Sequence, residues 1–89
     1  MALTKETVVD KIEVMEMGEV QVRTATRIKE DGAVLSTSFH RHYLEPSTKD
    51  SGSWADTDIS GEDARVQAVA NATWTSDVKT AYQAMIDAT

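Results

Sequence analysis

The chain has 89 residues, 40% of them hydrophobic, and a formal net charge of −6. That length fits one small domain that can bury roughly 60–65% of its unfolded surface, so a modest core is expected, and open sheet edges make self-association a reasonable expectation. The acidic balance argues against a nucleic-acid backbone as the main partner, and the lack of cysteine removes disulfides and thiolate zinc sites. Met1 to Asp10 has no basic and apolar leader pattern, and no run approaches the ~18 apolar residues of a membrane span, so a soluble protein without a secretion signal or membrane partner is expected.

Met1 to Thr7 is polar and is expected to be loose. Val8 to Met17 reads as a first strand, with Ile12 and Val14 alternating against Lys11 and Glu13. Gly18 supplies a turn, and a second strand runs from Glu19 to Glu30. There Val20, Val22 and Ile28 share one face with Thr24 and Thr26, while Gln21, Arg23, Arg27 and Lys29 share a wet face suited to cross-strand ion pairing. Asp31-Gly32 is a strong signal for a type I′ hairpin. The third strand, Ala33 to Leu44, sets Leu35, Phe39 and Tyr43 on one face and Val34, His40, His42 and Leu44 on the other. The first set is expected to be the core side.

Pro46 ends the sheet because it cannot donate to a ladder. From there to Ser60 the chain is rich in Ser, Thr, Asp and Gly and reads as a long polar loop around one large apolar residue, Trp54, which either folds back or anchors an interface. A helix is expected from about Gly61 to Ala72, with Ser60 as N-cap and Val66, Val69 and Ala70 as its apolar stripe. A second helix, Thr75 to Asp87, has Thr75 as N-cap and Val78, Ala81, Tyr82, Met85 and Ile86 at helical spacing. A break separates the two, with Trp74 buried at the corner. The fold class is therefore α+β: a three-stranded antiparallel meander with two C-terminal helices packed on one sheet face, forming a single domain over residues 1–89.

Three constellations are candidates for chemistry. His40 and His42 project from one strand face and make a pair of imidazole ligands, but two ligands are not a metal site; Glu45, Asp10 or another subunit would have to complete it. Asp56, Asp58 and Ser60 before Gly61 match the first half of a calcium loop, whose second half fails because Gln67 stands where a bidentate glutamate belongs. Ser36, Ser38 and His40 share a strand face without an oxyanion turn or an orienting third group, which reads as surface decoration. No cofactor fingerprint is present. The expectation is a non-enzyme with no catalytic residue and no cofactor.

The stretches VQVRTATRIKEDG, SFHRHYLEP and SGEDARVQAVANATWTSDVKTAYQAM together resemble small uncharacterised proteins of tailed bacteriophages, especially marine and cyanobacterial ones. The resemblance spans Val20 to Met85 and carries no catalytic or binding motif. It implies a virion, tail or assembly role in the host cytoplasm or the virion, with other phage proteins as further partners. The leading expectation is a structural or assembly protein acting as a homo-oligomer, with Trp54, Tyr43, His40 and His42 at the contact surface. The alternatives are a host- or partner-binding module using the 47–60 loop, and a His-ligated metal-binding protein.

Overall fold

The computed structural model describes residues 2–89. Three antiparallel strands, β1 (Leu3–Val14), β2 (Val20–Glu30) and β3 (Ala33–Leu44), form a sheet in the order β1-β2-β3. A two-stranded hairpin follows, β4 (Ser47–Asp50) and β5 (Ser53–Asp56), and then the helices α1 (Ala64–Thr73) and α2 (Ser76–Asp87). The α+β class and the three-strand meander agree with the sequence reading. Other details differ from it.

Residues 3–7 are not loose: Leu3 to Thr7 pair with Glu30 to Thr26 on β2, and Met1 lies outside the described residues. At that end the Asp31-Gly32 turn joins β2 to β3, its two central residues having φ of 51° and 87°. Next to it the Ala2 amide donates to the Asp31 carboxylate and the Asp31 amide to the Ala2 carbonyl, which keeps β1 attached to the end of the ribbon. The expected polar loop contains the β4–β5 hairpin, turned by Ser51 and Gly52 with φ of 52° and 83°. Ser-Gly in that geometry repeats the Asp-Gly device with a weaker sequence signature.

The core lies at one end of the sheet. Val20 and Val22 from β2 meet Val66, Ala70 and Trp74, with Val9, Ile12, Leu44, Ile59, Val69 and Val78 packed around them. Trp74 donates its indole N–H to the Gly18 carbonyl at 2.7 Å, at the break between the helices. Gly18 sits at φ +90°, and a Cβ there would lie 2.5 Å from Val78 Cγ1, so the corner demands glycine on two counts. Thr75 caps α2 through the Val78 amide, as its sequence position suggests. Ser60 does not cap α1. Asp63 does, accepting from the Arg65 amide at 2.8 Å, because Ser60 and Gly61 are spent in the preceding turn, which is tied by the Asp58 carboxylate to the Ser60 amide.

The core side of β3 is the reverse of the expectation. Leu44 pairs with Val20 and His42 with Val22, so His42 and Leu44 share the helix-covered face, whereas Phe39 opposes Ala25 and Tyr43 opposes Gln21 on the other. Leu35, Phe39 and Tyr43 are 58%, 50% and 61% exposed. The register shift between Ile28 and Lys29 leaves Leu35 as the extra residue of a bulge and moves Val34 opposite Lys29, off the His40 face. A matching bulge on β1 sits at Asp10, between Val9 and Lys11.

Size completes the explanation. Strands of 12 residues reach about 40 Å, while helices of 10 and 12 residues reach about 15 and 18 Å, so the helices cover only part of the ribbon. The molecule measures 56 × 23 × 22 Å, and past the core the sheet projects as an arm.

Candidate functional site

The arm is held mainly by polar contacts, with one small apolar cluster. On the face away from the helices, Arg23 makes a bidentate pair with Asp10 at 3.0 and 2.7 Å, while Arg27 and Lys29 both reach Glu6 at 2.8 and 3.2 Å. This is the cross-strand pairing expected of that face. The guanidinium of Arg23, beside Asp10, holds the carboxyl below the usual range, and Arg27 followed by Lys29 does the same for Glu6. The bulge at Asp10 re-aims its side chain to meet Arg23. The Arg23 guanidinium also stacks over Phe39, 4.3 Å from the ring centre. Phe39 and Val8 flank Ala25 in the ladder, and Ala25 is fully buried by this small satellite cluster.

Among the described residues Arg41 has no ion-pair partner; it lies beside Tyr43 in a shallow groove of about 240 Å³ at the outer border of β3, with Gln21 and His42 as the other walls. Tyr43 is exposed, and its hydroxyl donates to Glu45 at 3.4 Å. Along β3 every residue from Ala33 to Arg41 is exposed, and the strand carries one formal charge in 12 residues. The opposite border, β1, carries Lys5, Glu6, Asp10, Lys11 and Glu13, and Lys11 pairs with Glu13 at 3.3 Å. One border is therefore defended by charge and the other is open.

His40 and His42 stand on one face with stacked rings 6.4 Å apart. His42 Nε2 is 2.8 Å from Glu62 Oε1, which ties β3 to the segment entering α1, and His40 is exposed. Neither Glu45 nor Asp10 joins them: Glu45 accepts from Tyr43, and Asp10 is held by Arg23. No group of three or more His, Asp or Glu side chains is arranged to hold a metal ion among the described residues. Ser36 and Ser38 lie along the same face, exposed, opposite Ile28 and Thr26.

The calcium-like residues diverge. Asp56 accepts from Lys79 on α2 at 3.0 Å, whereas Asp58 turns back to the Ser60 amide at 2.9 Å, a bond that holds its carboxyl below the usual range. Trp54 folds back onto the body: its ring meets Tyr82 edge-on at 6.2 Å, and its N–H donates to Asp87 at 3.3 Å. Lys49 binds the same carboxylate at 2.7 Å, and Lys49 with Trp54 holds Asp87 below its ordinary value. Of the four expected contact residues, Tyr43, His40 and His42 lie on β3, and Trp54 lies on the hairpin against α2. Phe39 and Arg41 lie exposed on the same strand. Their positions two apart on a strand with no other formal charge are readable in the sequence, but the expectation that Phe39 faces the core hides them.

Comparison with known proteins returned no match: no family model, no curated protein and no solved structure corresponds to this chain. No helix among the described residues is long and apolar enough to cross a membrane.

Proposed function

We propose that this chain is a non-enzymatic structural or assembly protein that acts through protein–protein contacts, as a homo-oligomer, with the projecting sheet as its contact element. The supporting observation is the division of the sheet: in a molecule 56 Å long, the sheet extends past the helices with Leu3, Val34, Leu35 and Phe39 exposed and Tyr43 exposed nearby. A folded chain that ties such an arm together with cross-strand ion pairs and a cation–π stack maintains a surface that contributes little to its own core. The tailed-phage setting implied by the sequence resemblance, a virion, tail or assembly component, is compatible with such a part.

Molar mass by light scattering on a size-exclusion column, with and without EDTA, tests this. The expected result is a defined multiple of 9.8 kDa that ignores EDTA. A mass of 9.8 kDa across the micromolar range would overturn the homo-oligomer reading, and dissociation by EDTA would move the weight to His40 and His42 as metal ligands.

A further inference from the structure

The two borders of the sheet are unlike, and the difference selects a mode of association. β1 is guarded by alternating charges and by the bulge at Asp10, the devices that keep an edge from pairing with another chain. β3 has no lysine, no proline and no acid, and after its bulge at Leu35 it is regular for nine residues, Ser36 opposite Ile28 through Leu44 opposite Val20. We infer that the Ser36–Leu44 run of β3 pairs antiparallel with the same run of a second copy of this chain, about a two-fold axis at His40, closing a six-stranded sheet. This rests on the self-association reading above and specifies its surface.

Side-chain chemistry supports that register. With His40 opposite itself, Phe39 faces Arg41 of the second copy, Ser38 faces His42, Thr37 faces Tyr43 and Ser36 faces Leu44. Arg41, without an ion-pair partner among the described residues, thus meets the half-exposed aromatic ring, twice, repeating within the interface the stack that Arg23 makes inside the chain. Where the helix-covered end of the second copy comes alongside, this chain presents Ser36 and Ser38, small enough to leave room. Charge favours the same arrangement. Residues 45–89 hold three bases against eight acids, a net −5, and residues 1–44 hold six against seven, a net −1. An antiparallel pair places each acidic C-terminal body beside the near-neutral sheet of the other copy and keeps the two bodies at opposite ends.

The absence of native cysteine makes the register directly testable. Under a mild oxidant, His40→Cys, whose side chain lies at the two-fold axis, is expected to form a disulfide-linked dimer at least tenfold more efficiently than Ser36→Cys, which faces Leu44. Cross-linking of Ser36→Cys as readily as His40→Cys would overturn the register. Should neither link while the unmodified chain is still oligomeric by light scattering, the edge pairing is wrong and the self-association reading survives; a monomeric unmodified chain removes both. In a second variant, Phe39→Lys, a cation is set against Arg41 of the second copy, and the dimer dissociation constant is expected to rise at least tenfold with the far-ultraviolet spectrum unchanged. An unchanged constant would contradict the pairing.

Discussion

The same three strands serve two ends of the molecule under different conditions. At the helix-covered end, Val20, Val22, Val66 and Ala70 are fully buried and Trp74 nearly so, and order comes from packing and from the Trp74–Gly18 bond. At the arm end, the burial is that of Ala25 beneath Phe39 and Arg23, and order comes from Asp10, Glu6 and the Asp31-Gly32 turn. Exposed ion pairs contribute about 0–1 kcal/mol each, whereas burying a large apolar side chain contributes roughly 1.5–3 kcal/mol. The body should therefore decide whether the chain folds, and the arm what it meets.

The largest effect should follow from breaking the body. Trp74→Ala removes the corner side chain and its hydrogen bond, and roughly 3–5 kcal/mol of stability should be lost, read as a drop in denaturant midpoint or failure to fold. Gly18→Ala forces a left-handed backbone on a residue with a Cβ and drives that atom into Val78, for a cost of roughly 1–3 kcal/mol. On the arm, Phe39→Ala should cost only about 0.5–1 kcal/mol of unfolding free energy while weakening self-association, so midpoint and molar mass respond in opposite proportion to the Trp74 variant.

Titration separates the two ends more gently. Arg23 and the Arg27–Lys29 pair hold Asp10 and Glu6 below their ordinary values of 3.8 and 4.5. Folded values below the unfolded ones mean that these pairs stabilise the arm at neutral pH, and that their contribution is lost as pH falls below about 4 through the depressed folded values. Thermal midpoints should fall in that window, and Asp10→Asn should flatten the slope. At the body, burial, aided by Glu45 and Glu19, pushes the Tyr82 phenol from 10.0 up to about 12. A raised folded value means that this contribution is complete below pH 10 and disappears as pH rises from 10 to about 12, which Tyr82→Phe should abolish.

Much of this was legible in the sequence, for local reasons. Asp31-Gly32, Gly18, Thr75 and the Val78–Ile86 spacing each encode their conformation within a few residues, and the strands and helices follow. The identity of the buried face of β3 was not legible. Phe39 and Tyr43 outweigh His42 and Leu44 in hydrophobicity, but the register on β2 sets Leu44 and His42 opposite Val20 and Val22, and the helices pack on those valines, so the heavier face of β3 goes to solvent. The β4–β5 hairpin is not legible because Ser51-Gly52 sits in a stretch poor in β-branched residues, and its order derives from distant partners, Asp87 for Lys49 and Trp54 and Gln83 for Ser47. His40 and His42 were readable as a pair, but the engagement of His42 by Glu62 depends on where α1 begins.

The most direct test of the arm as a contact surface is amide hydrogen exchange of the unmodified chain at concentrations below and above that at which its mass rises. Ser36–Leu44 on β3 is expected to gain protection as the concentration rises, while the Leu3–Val9 border of β1 exchanges equally fast at both. Protection that is independent of concentration on β3, or a gain on β1 instead, would contradict it.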